Sequence, residues 1–86
     1  MYTLILSSCP DPDFRQTAAP APKQFFKVHS PEDAARVAMA YRDTHELGGG
    51  NWSGGQVLDE DGEQVFQISY NGRIWLPNGE EYKPCA

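Results

Sequence analysis

Two short apolar stretches near the start of the chain predict β-strands. Residues 2–8 are aromatic, β-branched and aliphatic, and they end just before Pro10, which has no amide hydrogen to pair. Residues 24–29 alternate, with Phe26 and Val28 on one face and Phe25 and Lys27 on the other. Residues 9–23 contain four prolines and no apolar periodicity. We therefore predict that they form a long extended connection.

The next stretch has apolar residues at helical spacing and a clear start signal. Ser30 is a good N-cap, Pro31 suits the first helical position, and two acidic residues in the first turn face the positive end of the helix dipole. The apolar positions predict a flat face that packs on a sheet; they are Ala34, Val37, Ala38 and Tyr41. We predict that Gly48 ends the helix with a positive φ.

Residues 56–76 read as strands joined by tight turns. Asn71-Gly72 predicts a two-residue type I′ turn. That register would place Ile68 opposite Trp75 as a core pair, and it would place Tyr70 opposite Arg73 in a cation–π contact.

A second hairpin is predicted at Asp61-Gly62. A two-residue turn there would set Glu60 against Glu63, and like charges directly opposite are unfavourable. We therefore expect a slightly longer loop. The tail, residues 77–86, predicts one more turn at 77–79 and a short final strand at 81–83.

The predicted order β-β-α-β-β-β indicates an α+β fold, with one antiparallel sheet of four or five strands and one helix on one face. A chain of 86 residues makes a single domain, residues 1–86. The predicted register gives two apolar faces, one with Val57, Phe66, Ile68 and Trp75 and the other with Leu58, Val65, Ile74 and Leu76. One helix covers only one face, so the uncovered face is a candidate contact patch.

The charge of the chain is unevenly distributed. Residues 1–42 carry five basic and four acidic side chains, a net charge of +1, whereas residues 43–86 carry two basic and eight acidic side chains, a net charge of −6. An acidic surface repels nucleic acid and anionic membranes and attracts a basic partner. We expect a protein partner, and no direct binding of nucleic acid or membrane.

Residues 48–55, GGGNWSGG, place five glycines around Trp52. Phosphate-binding glycine loops follow a strand and open a helix, whereas this run follows a helix and opens a strand. We interpret it as a helix cap followed by a flexible connection. Trp52 either packs at the edge of the core or stands exposed as an anchor for a partner.

The acidic cluster Asp59, Glu60, Asp61 and Glu63 lies in a predicted β-turn. A calcium-binding EF-hand loop instead spaces its ligands over about twelve residues between two helices. The cluster is either a solvated turn or a docking face for a basic partner. The candidate partner-binding residues are these four together with Trp52 and Arg73.

No catalytic or metal-binding signature is present in the sequence. Cys9, His29, His45 and Cys85 are separated by 20, 16 and 40 residues, without the close pairs that zinc sites use. Neither histidine has an evident Ser or Asp partner. We expect no enzymatic activity, no cofactor and no metal, and two free thiols.

The start of the chain does not read as a secretory signal. No basic residue precedes Arg15, and the apolar stretch before it is short. No stretch approaches the ~20 apolar residues of a membrane span. We expect a cytoplasmic protein.

Three segments carry a resemblance to known proteins: SPEDAARVAMAYRD, the glycine-rich loop with its Trp, and ISYNGRIW. They resemble small proteins encoded by bacteria, phages and plasmids, and the order of elements is similar to that of some small anti-CRISPR proteins. The resemblance covers about residues 24–76 in pattern. It implies a non-enzymatic inhibitor that binds a CRISPR effector complex and blocks its DNA site.

The alternative to this function is a self-associating accessory domain that uses the uncovered apolar sheet face. A homodimer is compatible with either function.

Overall fold

The computed structural model describes residues 1–10 and 21–82. Most of the predicted connection at 9–23 and the end of the tail, including Lys83 and Cys85, lie outside the described residues. The elements are β1 (Tyr2–Leu6), β2 (Gln24–Val28), α1 (Pro31–Thr44), β3 (Gln56–Leu58), β4 (Gln64–Ile68) and β5 (Ile74–Trp75), with a short 3₁₀-helix at Gly49–Asn51.

The strands form one antiparallel sheet in the order β2-β1-β3-β4-β5. This confirms the predicted α+β class and the order of elements. The final segment continues the sheet, because Glu81 forms an isolated bridge with Trp75 and the amide of Tyr82 donates to the Ile74 carbonyl at 2.8 Å. Within the described residues, the strand predicted at 81–83 is therefore represented by the single bridge between Glu81 and Trp75.

The helix begins where the sequence predicts. The Ser30 side chain accepts a hydrogen bond from the Asp33 amide at 3.0 Å, and Pro31 is the first helical residue. α1 lies on one face of the sheet, where burial of each large aliphatic side chain is worth about 1.5–3 kcal/mol. The fully buried residues on this covered face are Leu4, Leu6, Val28, Val57 and Ile68, and they pack against Ala34, Ala38 and Tyr41 of the helix.

The helix does not end at Gly48, whose φ is −88°. Glu46 takes the left-handed conformation instead, with a φ of 51°. The Leu47 amide donates to the Arg42 carbonyl at 3.0 Å and the Glu46 amide to the Asp43 carbonyl at 3.3 Å, the two bonds of a Schellman motif. The prediction was wrong because α1 stops at Thr44, and the early stop places Leu47 in the core.

The turn between β4 and β5 is one residue longer than predicted. The Ser69 amide donates to the Arg73 carbonyl at 2.9 Å and the Gly72 amide to the Ser69 carbonyl at 3.0 Å. Gly72 has a φ of 87°, whereas Asn71 is not in the left-handed region. These features define a type I turn followed by a G1 bulge, and not a type I′ turn.

The longer turn changes which residues are paired. Ile68 lies opposite Ile74, and Trp75 lies opposite Gln67. Ile74 therefore shares the covered face with Ile68, while Trp75 is on the other face. The predicted core pair of Ile68 with Trp75 and the predicted assignment of Ile74 to the uncovered face are both wrong.

The predicted cation–π partner of Tyr70 is wrong as well. Arg42 of α1, and not Arg73, lies over the Tyr70 ring, at 5.2 Å from its centroid. Arg42 Nη1 also donates to the Tyr70 carbonyl at 2.8 Å, and the Tyr70 hydroxyl donates to the Leu47 carbonyl at 3.0 Å. These contacts to the helix end explain why the loop keeps three residues.

The loop between β3 and β4 is longer than two residues, as predicted. The Asp59 amide donates to the Glu63 carbonyl at 2.8 Å, and the Gly62 amide donates to the Asp59 carbonyl at 3.1 Å. The predicted turn at 77–79 is present with the same bonding pattern, between Leu76 and Glu80. Residues 56–82 therefore contain the same turn geometry three times.

The face of the sheet opposite α1, here called the open face, is mixed in character. Within the described residues, α1 is the one α-helix, and it lies on the other side. Cross-strand pairing places on the open face one row of Phe25, Ile5, Gln56, Gln67 and Trp75 and a second row of Lys27, Thr3, Leu58 and Gln64.

Candidate acidic docking site

The loop between β3 and β4 forms the candidate site, and we call its four acidic residues (Asp59, Glu60, Asp61 and Glu63) the acidic turn. Asp59 organises it, because its Oδ1 atom accepts hydrogen bonds from the amides of Asp61 at 2.9 Å and Glu63 at 3.0 Å. The other three side chains are exposed. The turn therefore presents three carboxylates to solvent, while the fourth, that of Asp59, fixes the conformation of the loop.

The carboxylates of the acidic turn differ in their partners. Glu60 Oε1 accepts a hydrogen bond from the N-terminal ammonium of Met1 at 2.9 Å, and this bond is the main cause of a lowered pKa at Glu60. Asp61 and Glu63 have no ion-pair partner among residues 1–10 and 21–82. Both carboxylates are therefore available to a partner without the loss of an ion pair of the described residues, while Lys27 lies beside Asp59 and Glu60 in the adjoining groove.

Two shallow grooves flank the acidic turn. One is lined by Met1, Tyr2, His29, Asp59, Glu60 and Asp61. The other, on the open face, is lined by Met1, Thr3, Lys27, Leu58, Asp59, Glu60 and Gly62. Carboxylates at the rim of a groove suit a lysine or arginine side chain of a partner, because charge-assisted hydrogen bonds to carboxylate are about twice as strong as neutral ones.

Trp52 lies at the opposite end of the sheet from the acidic turn. Its Nε1 atom donates to the Ile68 carbonyl at 3.1 Å, and its ring contacts the Tyr70 ring edge-to-face with centroids 6.1 Å apart. The side chain is half-buried beside the core. Of the two interpretations of Trp52, this position corresponds to packing at the edge of the core.

Arg73 also lies away from the acidic turn. It follows the turn between β4 and β5, at the end of the sheet where Trp52 packs, and its side chain is exposed. The six candidate residues therefore form two groups at opposite ends of the sheet. Four carboxylates make up one group, and Trp52 and Arg73 make up the other.

The glycine-rich loop is built by hydrogen bonds to a buried Asn51. Its Oδ1 atom accepts from the Gly48 amide at 3.1 Å, and its Nδ2 atom donates to the Cys9 carbonyl at 2.9 Å. A Cβ atom at Gly54 would lie 2.4 Å from the Ser7 nitrogen, and one at Gly55 would lie 2.1 Å from the Ile68 oxygen. The last two glycines thus allow close approach of neighbouring strands, a role that the cap-and-connection interpretation missed.

The Tyr70 contacts with Arg42 and the Leu47 carbonyl were also not predicted from the sequence. A signal for them exists there, because a three-residue loop with glycine last places Tyr70 at the first loop position. Which side of the sheet the ring then occupies depends on the helix end, and no local pattern encodes that.

The nucleophilic and basic side chains are dispersed. Within the described part of the chain, His29 follows β2, His45 caps the far end of α1 against the Tyr41 ring, and the Cys9 thiol donates to the Gly50 carbonyl at 3.3 Å. The same residues include no group of three His, Cys, Asp or Glu side chains placed to hold a metal ion. Among the described residues, none of the helices is both long and apolar enough to cross a membrane.

Comparison with known protein families, with curated proteins and with solved structures finds no match to this chain.

Proposed function

We propose that the protein is a non-enzymatic inhibitor of mobile-element origin that binds a basic, nucleic-acid-handling complex through the acidic turn. By the resemblance in sequence pattern, the target is a CRISPR effector complex in the cytoplasm. The protein acts by occupying cationic side chains that would otherwise contact DNA.

The observation that carries this proposal is that Asp61 and Glu63, on a loop of fixed conformation, form no ion pair within residues 1–10 and 21–82. Exposed carboxylates without an internal cation lose no existing ion pair when they meet a partner. Because Asp59 fixes the loop by hydrogen bonds to two amides, little loop entropy is lost on binding. The free carboxylates and the fixed loop conformation both favour binding of a basic partner.

The chemistry of the target supports the same conclusion. Proteins hold DNA mainly through lysine and arginine contacts to phosphates. A turn with three exposed carboxylates competes for those contacts, and the net charge of −6 over residues 43–86 attracts the protein to a basic channel. Attraction of this type increases the association rate and weakens with salt.

The test is inhibition of target-DNA binding by a purified CRISPR effector complex, measured by fluorescence anisotropy of labelled DNA. The variant Asp61→Asn/Glu63→Gln removes two charges that form no ion pair within the described residues, and it alters none of the side-chain hydrogen bonds seen there. A control of equal charge change, Asp43→Asn/Glu46→Gln, removes two charges near the C-terminal end of α1, where Asp43 forms an exposed ion pair with Arg42 at 3.1 Å.

We expect the unmodified protein and the control to inhibit alike, and the acidic-turn variant to need about tenfold more protein for the same inhibition. That factor corresponds to ~1.4 kcal/mol, or roughly 0.7 kcal/mol per charge. Equal loss in both variants would mean that net charge alone matters. Failure of the unmodified protein to inhibit any complex tested would remove the CRISPR assignment.

A further inference from the structure

The outer edge of β2 is open in the described part of the chain. β2 (Gln24–Val28) pairs with β1 on one side only, whereas Glu81 and Tyr82 pair with β5 at the opposite edge of the sheet. An unpaired edge strand of five residues presents backbone donors and acceptors that can pair with another strand. Phe25 on this strand is 63% exposed, which is the largest exposed fraction among the large apolar side chains of the described residues.

We propose that two copies of this chain pair antiparallel through their β2 strands, about a twofold axis at Phe26, to form a continuous ten-stranded sheet. This interface is independent of the acidic turn and of the function proposed for it.

The sequence of β2 selects this register. In an antiparallel pair, directly opposite residues lie on the same face of the sheet. A twofold axis perpendicular to the sheet keeps each face on its own side, so it must pass through a residue that lies opposite its own copy. With the axis at Phe26, all five residues pair, and Phe25 lies opposite Lys27 of the second copy. An axis at Phe25 would set Lys23 against Lys27, and an axis at Lys27 would set two Lys27 side chains together. The Phe26 register is thus the one with full overlap and no lysine pair.

The apolar surface beside β2 also favours a second copy. A groove between β2 and α1 is lined by Gln24, Phe26, Val37, Ala40, Tyr41, Thr44 and His45. In the proposed register, the two half-buried Phe26 side chains lie opposite each other on the covered face, next to this groove. On the open face, each exposed Phe25 ring packs against the aliphatic stem of the Lys27 that lies opposite. Within its own chain, Lys27 Nζ donates to Thr3 Oγ1 at 2.9 Å, and Lys23 Nζ lies 5.6 Å from the centroid of the Phe25 ring.

The charge distribution is compatible with this arrangement. Lys23 and Lys27 lie on or beside β2, and Arg36 of α1 forms an ion pair with Asp33. Because the two β2 strands run antiparallel, the two acidic turns lie towards opposite ends of the dimer. The strongest like charges are therefore kept apart, which allows an acidic chain to pair with itself.

The test is sedimentation equilibrium of the full chain over a wide range of concentration, with two variants at the most exposed position. Phe25→Lys places a lysine opposite Lys27 of the second copy, and Phe25→Glu places a carboxylate there. The twofold axis repeats each change, so we expect the dissociation constant of the Lys variant to exceed that of the Glu variant at least about tenfold. At a concentration low enough to keep all three proteins monomeric, both variants should keep the melting temperature of the unmodified chain.

The direction of this difference distinguishes edge pairing from a pure charge effect and from face-to-face stacking. Net charge alone would give the reverse order, because Phe25→Glu makes an acidic chain more acidic. Stacking of two open faces through Phe25 would be lost equally in both variants. Either result, or a chain that is monomeric at every concentration, would overturn the proposal, whereas the Asp61→Asn/Glu63→Gln variant should dimerise normally whatever its effect on inhibition.

Discussion

Glu46 has an unusual backbone conformation for its residue type. It is the one non-glycine residue with positive φ in the described chain, and it occupies the C′ position of the helix cap. A left-handed conformation costs an L-residue about 1–2 kcal/mol, and glycine avoids this cost but loses up to about 1 kcal/mol through the entropy of the unfolded chain. We predict that Glu46→Gly raises the free energy of unfolding by about 0.5–1 kcal/mol in urea denaturation. Glu46→Ala should show no such gain, and equal effects of the two variants would contradict a strained cap.

The two tryptophans are expected to differ in their contribution to stability. Trp52 is half-buried beside the core and hydrogen-bonded to the Ile68 carbonyl, whereas Trp75 lies on the open face opposite Gln67. We predict that Trp52→Ala lowers the free energy of unfolding by about 2–3 kcal/mol, and Trp75→Ala by about 1 kcal/mol. The two-residue hairpin register predicts the reverse order. Chemical denaturation of both variants decides between these registers.

Asp33 makes the start of α1 sensitive to acid. Its pKa is lowered, first by the hydrogen bond from the His29 amide and then by Arg36. A carboxylate with a lowered folded-state pKa contributes stability above its unfolded value of 3.8, and that contribution is lost as the pH falls through the folded-state pKa. We predict that Asp33→Asn lowers the melting temperature near neutral pH and that the difference shrinks below about pH 4. A difference that stays constant down to about pH 2 would contradict this assignment.

Among the connecting elements, the glycine-rich loop requires glycine because there is no room for a Cβ atom as well as because of a positive φ. Gly55 has a φ of 100° and lies against the Ile68 carbonyl, whereas Gly62 has a φ of 85° with open space around it. We predict that Gly55→Ala costs about 3 kcal/mol or more, and that Gly62→Ala costs about 1 kcal/mol from backbone strain alone. Thermal denaturation of the two variants measures the difference. Similar costs would mean that the close strand approach at Gly55 contributes nothing.

The elements that could be predicted from the sequence are those with local signals. Ser30 and Pro31 mark the helix start because capping uses atoms within one turn of chain. The apolar stretches mark β1 and β2 for a similar reason. The turn after β4 could not be fixed locally, because Asn-Gly is compatible with two- and three-residue loops. The contacts of Tyr70 with Arg42 and Leu47 explain the longer loop, and they join residues 23 or more positions apart.

In the candidate site, too, features with a local sequence signal could be predicted and features that depend on the arrangement of strands could not. The acidic turn could be located from the sequence because its four carboxylates and its glycine are consecutive or nearly so. The distance between that turn and Trp52 depends on strand order and direction. β3 begins beside the Trp52 loop and ends at the acidic turn, so the strand itself separates the two features.

In the whole molecule, the strand β1 lies between the open edge of β2 and the strand β3 that leads to the acidic turn, and Lys27 of β2 shares a groove with Asp59 and Glu60. The acidic turn lies between β3 and β4, and the β2 edge carries Lys27 and the exposed Phe25. A dimer formed through β2 would display two acidic turns, one towards each end. Such a protein could engage two basic sites, and avidity would then depend on their separation.

The salt dependence of the association rate with an immobilised CRISPR effector complex tests whether the acidic turn is the docking site. We expect the rate for the unmodified protein to fall steeply as salt rises, because the Debye length shortens from about 30 Å at 0.01 M to about 10 Å at 0.1 M. The Asp61→Asn/Glu63→Gln variant should associate more slowly at low salt and with a shallower dependence, while Asp43→Asn/Glu46→Gln should follow the unmodified protein. Association of the acidic-turn variant at the unmodified rate at low salt would contradict the assignment of this turn as the docking site.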